Sequence, residues 1–272
     1  MTRLTDDMVK DIIGTLDTTN DMLVTMTGMN TMQMACEAIG ITPDMLDLKG
    51  IKVGVVPITS GKGIIKKFSE SVAEIARKLG MEAFVTEHVD VTGIAEALSA
   101  HPEIIFMADD IKFIALNTTN GKFSNNSFST AAGYVTALKG AAKGLNGKEV
   151  LILGAGRVGG IAAELMVGMG AIVTVYDIDD RRTKDLVERF GVKVAADRNS
   201  ALLSHDYVFN ASPGAIEGIY LKEGVIISSP GIPYPFDELG VNKAKMIIHD
   251  PLDIGAAVMA IQAASFSRLK TP

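Results

Sequence analysis

The sequence predicts an α/β protein of two domains, and three observations carry that expectation. Residues 148–177 read as strand, glycine turn, helix and strand, the order of a βαβ unit. Residues 51–107 repeat a shorter strand–loop–helix texture. Beyond Asp177, β-branched runs keep alternating with helical patterns, as chains that form mostly parallel sheets do.

Residues 1–47 read as helices: Thr5-Asp-Asp-Met8 offers a capped start, and Met8, Ile12, Ile13 and Leu16 recur at helical spacing. The Met-rich segment 25–39 fits a core better than a cofactor contact. From Ile51 the texture changes to strand 52–58, loop 59–63, helix 64–79, strand 83–86, helix 92–99, strand 103–107 and loop 108–110. Residues 117–127 look like loop and 130–143 like one helix. The turn at Leu145-Asn-Gly-Lys148 is the expected boundary between a small α/β substrate domain with its linking helix, 1–146, and a dinucleotide-binding domain, 147–272.

The second domain opens on Glu149–Leu153, which stops at Gly154-Ala155-Gly156-Arg157-Val158-Gly159. Ile161, Leu165, Met166 and Met169 then follow a helical period, and the strand Ile172–Tyr176 ends in Asp177. In that setting the glycine hexad is a Rossmann-type fingerprint. Gly154 permits the sharp turn, Gly156 lets backbone amides approach a pyrophosphate, and Gly159 lets the helix sit close on the strand. The alternative is a buried turn that needs glycine only for packing. Asp177, with Ile178 beside it, lies where an acid accepts from the adenosine ribose, and a carboxylate there repels a 2′-phosphate. NAD is therefore expected over NADP, while Arg181 and Arg182 either favour NADP or simply form a solvated helix face. Strands follow at 193–195, 207–210, 225–228 and 246–249, and helix 251–268 closes the chain, with its packing on the first domain left open. Three loops after strands, carrying Ser212-Pro213, Pro230-Gly231-Ile232 and Asp250-Pro251-Leu252, are expected to close the nicotinamide pocket.

With 272 residues, 47% of them hydrophobic, the chain can bury a sizeable core. A net charge of −6 leaves no basic surface for nucleic acid or an anionic membrane, so the expected partner is a small molecule. The single Cys36 excludes an internal disulfide and a Cys-based zinc site, and fits a reducing cytoplasm. The N-terminal stretch lacks a signal core, and no apolar run reaches membrane-spanning length. His88, His101, His205 and His249 have no ligand spacing, so no metal is expected; His249 alone falls near the crevice, where a core histidine is the simpler reading. Whether the chain forms a homo-oligomer is left open.

In the first domain, Thr59-Ser60-Gly61-Lys62-Gly63 follows a strand and could hold an anion or carboxylate, or Ser60 could cap the next helix. Asp109 and Asp110 end a strand, where they could bind an amine, pair with a lysine or form a turn.

Val55-Val-Pro-Ile-Thr-Ser-Gly-Lys-Gly-Ile-Ile65, Phe68-Ser-Glu-Ser71, Met107-Ala-Asp-Asp110, Asn120-Gly-Lys-Phe-Ser-Asn-Asn126, the glycine hexad and Ser229-Pro-Gly-Ile-Pro233 together resemble the pyrrolysine synthase (PylD) family over nearly the whole chain. The resemblance implies NAD-dependent oxidation of the terminal amine of lysine-Nε-3-methyl-D-ornithine, followed by ammonia loss and cyclisation to pyrrolysine. It implies that Ile58 and Ser60 contact the substrate, that Asp109 holds an amino group and that Leu4 and Asn126 line the site. An alkyl ammonium of pKa about 10.4 must lose a proton before it gives up hydride, which needs an acceptor or a water path; Asp109 is the candidate, holding the cation while a water completes the deprotonation. The segment after Asn126 does not match, and the rival readings are an NAD(P)-dependent dehydrogenase of another amino acid or amine, and a non-catalytic NAD sensor.

Overall fold

In the computed structural model, which describes residues 3–270, the apolar runs form two separate sheets. The chain divides into two units: residues up to Asp21, Asn30–Thr130 and those from Pro251 onward make the first, and Met22–Met29 with Ala131–Asp250 make the second.

The chain begins with helices α1 (Asp6–Val9), α2 (Ile12–Thr27) and α3 (Thr31–Ala38), the last fixed by a capping box in which Asn30 and Gln33 satisfy each other's amides. Strand and helix then alternate: β1 (Lys52–Val56), α4 (Phe68–Lys78), β2 (Glu82–Val85), α5 (Asp90–Ser99), β3 (Ile104–Ala108). A hairpin of β4 (Phe113–Asn117) and β5 (Phe123–Asn125) leads into α6 (Asn126–Ala141). The first sheet runs β2-β1-β3-β4-β5, parallel across β2, β1 and β3 and antiparallel from there on. Its two faces follow the period of two: Val53, Val55, Ile104 and Phe106 enter one core cluster, and Val56 and Ile105 enter another. Each such fully buried side chain contributes about 1.5–3 kcal/mol.

The second unit contains β6 (Glu149–Leu153), α7 (Arg157–Gly168), β7 (Ile172–Tyr176), α8 (Asp180–Phe190), β8 (Lys193–Val194), α9 (Arg198–Ser204), β9 (Tyr207–Asn210), β10 (Ile226–Ser228), α10 (Glu238–Lys243) and β11 (Met246–Ile248). Its sheet is parallel throughout in the order β11-β10-β9-β6-β7-β8. Strand order therefore reverses between β6 and β9, the point at which open α/β sheets bind ligands.

The closing helix α11 (Asp253–Arg268) is buried from Asp253 through Ile261. A helix apolar on every face must be enclosed, and α11 lies in the core of the first unit, where Asn117 donates to the Ala263 carbonyl at 2.9 Å and Arg268 pairs with Glu103. The units thus differ from a division at 146/147: α11 joins the first, and residues 131–146 join the second. Other differences are local. The helix expected from 64 starts at Phe68, because Gly61, Gly63 and Lys67 take positive φ and wind the intervening segment into turns. Residues 113–125, not read as strands, form the hairpin through Asn120-Gly121, with Gly121 at φ +75°. Thr5 makes no side-chain cap bond, and the unforeseen α9 and α10 are capped by Asp197 and Asp237. Among the described residues no helix is long and apolar enough to cross a membrane, and no cluster of three His, Cys, Asp or Glu could hold a metal.

Candidate functional site

The glycine turn joins β6 to α7 at the strand-order reversal. Gly154 stands at φ +91° and donates to the Tyr176 carbonyl at 2.8 Å, while a Cβ there would lie 3.0 Å from the backbone of Ala211. Gly159 has no room at all, since a Cβ would come 1.7 Å from the Gly154 carbonyl oxygen. Gly156, the N-cap of α7, is different: its nearest neighbour would be Arg182 Nη1 at 3.9 Å, so the space in front of it is open. Two glycines are dictated by packing and the middle one is not, which fits a backbone left bare for a ligand at a helix N-terminus. Arg157 and Val158 begin that helix, with Arg157 exposed and Ala155 buried beneath the turn.

Asp177 braces the same turn. Its Oδ2 accepts from the Ala155 amide at 2.7 Å and its Oδ1 from the Asp179 amide at 2.9 Å. Arg182 Nη1 lies 3.8 Å from Asp177 Oδ2, and Arg181 and Arg182 both pair with Asp179. The Arg181 guanidinium holds the Asp179 carboxyl below its ordinary range. The arginines read as a solvated face are therefore partly neutralised by neighbouring acids. Ile178 projects almost wholly into solvent.

The strand-end loops of this sheet are tied to one another. Asn210, fully buried at the end of β9, donates to Ser229 Oγ at 3.1 Å and accepts from Ser212 Oγ at 2.8 Å, while its carbonyl accepts from the Gly231 amide at 2.9 Å. Gly231 is required there, because a Cβ would meet the Ser212 carbonyl oxygen at 2.4 Å. Pro213 is exposed, whereas Pro230 and Ile232 are half-buried. His249 donates from Nδ1 to the Ser229 carbonyl at 2.8 Å and meets Tyr234 edge-on; burial depresses its pKa. The Asp250 amide donates to Tyr134 Oη at 2.7 Å. Leu252, expected with this set, falls in the first unit and is buried in its core beside α11.

Ile58, Ser60, Asp109, Leu4 and Asn126 all fall in the first unit. Loop 59–63 is held at both ends by carboxylates. Asp90 accepts from Thr59 N at 2.8 Å and Thr59 Oγ1 at 2.5 Å, and these bonds pull its pKa down. Asp110 accepts from the Lys62 amide at 2.7 Å and from Arg3, whose guanidinium also reaches the Gly63 carbonyl at 2.5 Å. The Lys62 amide first, then Arg3, lowers the Asp110 pKa. Gly61 lies against Asp110: a Cβ would be 2.2 Å from its Oδ2. Ser60 is exposed and caps no helix, since α4 begins eight residues later with Lys67 at its N-cap.

Asp109 closes the β3–β4 turn, with Oδ1 accepting from the Ile111 and Lys112 amides at 2.7 Å each. The turn-forming reading is thus met by Oδ1, while Oδ2 accepts no bond from the described residues. Leu4 packs against the core cluster of the first unit. Asn126 opens α6, where Thr130 Oγ1 donates to its Oδ1 at 3.0 Å, close to Gly255 of α11. Asp90, like Asn210, is a support that sequence reading missed. An acid at the start of a helix reads as a cap, and nothing local ties it to a threonine 31 positions away.

Comparison with known proteins matches residues 8–124 to the family model "Pyrrolysine biosynthesis protein PylD, N-terminal domain" and residues 122–233 to "Alanine dehydrogenase/PNT, C-terminal domain". The chain is 34% identical over 262 residues to the pyrrolysine synthase of Methanosarcina acetivorans, covering 95% of this chain and 98% of that protein. It is 37% identical over 229 residues to that of Methanosarcina barkeri, covering 79% and 86%. Among solved structures, shikimate dehydrogenase from Aquifex aeolicus shares the fold at a TM-score of 0.57 and 15% identity, over 83% of this chain and 96% of that one.

Proposed function

The chain belongs to the pyrrolysine synthase family of oxidoreductases, and from that premise we propose that it oxidises the terminal amine of lysine-Nε-3-methyl-D-ornithine with NAD, after which ammonia leaves and the ring of pyrrolysine closes. The observation that carries the proposal is the open space in front of Gly156 at a turn whose other two glycines are fixed by packing.

Residues 154–159 would hold the pyrophosphate, Asp177 and Ile178 the adenosine, and the loops of Ser212-Pro213, Pro230-Gly231-Ile232 and Asp250 the nicotinamide end. When bound, the nicotinamide accepts the hydride that leaves the amine-bearing carbon. The chain's own residues bind and orient. Ile58 and Ser60 contact the substrate, with Leu4 and Asn126 lining it, and Asp109 Oδ2 holds its ammonium and takes up the proton directly or through a water. Oxidation turns the amine carbon into an electrophilic imine. The free α-amine of the same molecule adds to that carbon, and ammonia departs to leave the pyrroline C=N bond.

NAD is preferred over NADP because Asp177 supplies a carboxylate at the ribose position, while Arg181 and Arg182 are engaged by Asp179 rather than free to receive a 2′-phosphate. Mixing protein, NAD and the substrate while following nicotinamide absorbance and product mass tests the reading. Reduced nicotinamide and pyrrolysine should accumulate together; a dehydrogenase of another amine responds only to a different substrate, and a sensor gives neither signal.

A further inference from the structure

Ile58 and Ser60, the two side chains proposed above to touch the substrate, flank Thr59, and a single residue from a distant part of the chain holds the backbone on both sides of Ile58. The Asp90 amide donates to the Pro57 carbonyl at 3.0 Å, and the Asp90 carboxylate accepts from the Thr59 amide at 2.8 Å and the Thr59 hydroxyl at 2.5 Å. All three bonds form with Asp90 at φ +52°, a left-handed conformation that Asp tolerates better than most residues. The segment carrying Asp90 is itself fixed. Glu96 accepts from the Glu87 amide at 2.9 Å and the His88 amide at 3.0 Å, Thr86 Oγ1 donates to the His88 carbonyl at 2.8 Å, and Gly93 leaves no room for a Cβ, which would lie 2.3 Å from that carbonyl.

We infer that Asp90 is a positioning residue for substrate: it clamps Pro57 and Thr59 so that Ile58 and Ser60 are presented before the substrate arrives. The inference rests on the proposed substrate role of those two residues. Asp110 holds the far end of the same loop through the Lys62 amide, but it also pairs with Arg3, so Asp90 gives the cleaner test. Both of its carboxylate oxygens go to one residue, Thr59, and therefore serve the loop. A loop whose donors are already engaged spends no binding free energy on ordering itself, which is the benefit of a rigid supporting contact.

The test compares Asp90→Ala, Asp90→Asn, Thr59→Val and Ser60→Ala by steady-state kinetics with substrate and coenzyme varied separately. Asp90→Ala should raise the substrate KM or lower kcat/KM for substrate by about ten- to a hundredfold while the KM for NAD stays within about twofold, a split that general destabilisation does not produce. Asp90→Asn keeps an oxygen for the Thr59 amide and should recover part of the loss. Thr59→Val should lose less than Asp90→Ala, and the double variant no more than Asp90→Ala alone, because both changes remove one interaction. Should Asp90→Ala fail to fold, Thr59→Val carries the same comparison. An unchanged substrate kcat/KM in Asp90→Ala and Thr59→Val, beside a weakened Ser60→Ala, overturns the inference and leaves the substrate loop standing. Wild-type kinetics in Ser60→Ala overturns the loop's substrate role, and the inference falls with it.

Discussion

A Cβ on Gly159 would sit 1.7 Å from the carbonyl oxygen of Gly154, so the first turn of α7 and the end of β6 are in contact that only glycine permits. Gly159→Ala must push the helix off the strand, an overpacking that costs about 1–3 kcal/mol or more and lowers the thermal midpoint. Gly156→Ala meets nothing closer than Arg182 Nη1 at 3.9 Å and should fold normally. Its loss should appear only in coenzyme affinity, weakened by at least about tenfold, or 1.4 kcal/mol. Thermal unfolding with and without NAD separates the two, and normal NAD affinity in Gly156→Ala contradicts the ligand reading of that glycine.

Asp177 braces the turn by accepting from the Ala155 and Asp179 amides, and in the function proposed above its charge also selects the coenzyme. Asp177→Asn keeps an acceptor oxygen and removes the charge. The ratio of kcat/KM for NADP to that for NAD should therefore rise by about tenfold or more, since like-charge juxtaposition costs several kcal/mol. The ratio is read from initial rates with each coenzyme, and an unchanged ratio removes Asp177 from coenzyme choice.

Asp109 is similarly divided between a turn and a free oxygen. Asp109→Asn can retain the two amide bonds of the turn, so its fold and its NADH binding should be near wild type while turnover falls by about a hundredfold or more, the scale of general acid–base effects. Asp109→Ala should lose the turn as well and show a lower midpoint. Wild-type turnover in the Asn variant discards the carboxylate's role.

His249 gives the pH prediction. Burial lowers its folded pKa below the ordinary 6.5, so on acidification the unfolded chain takes up this proton before the native one does. Stability from keeping the imidazole neutral is present above pH 6.5 and is lost as pH falls through that value toward the depressed folded pKa. Carboxylates such as Asp90, lowered from an ordinary 3.8, act only at more acidic pH. Urea unfolding between pH 7.5 and about 5 should show a slope in wild type that His249→Gln lacks; equal slopes would place the titration elsewhere.

The dinucleotide half was legible because its signals are local: a strand, three glycines, a helix and an acid lie within one short stretch, and backbone geometry dictates their spacing. The hairpin at 113–125 was not, because its strands are short and one is half-exposed, and Asn120-Gly121 was read as loop rather than hairpin turn. Asp90 and Asn210 were missed as supports for another reason. Each acts on a loop distant in sequence, Asp90 on residue 59 and Asn210 on residues 229 and 231, and no periodicity in a single chain records such partners. α11 shows the same limit: its all-round burial is visible in its composition, but which core encloses it is decided by contacts with distant segments.

In the proposed reaction this chain moves hydride from the amine-bearing carbon of its substrate to a nicotinamide. A substrate deuterated at that carbon, incubated with the protein and NAD, tests it most directly by mass spectrometry of the coenzyme. Deuterium should appear in the reduced nicotinamide in proportion to the ring product formed. Ring product without label in the coenzyme, or no reduction at all with the intact substrate, contradicts it.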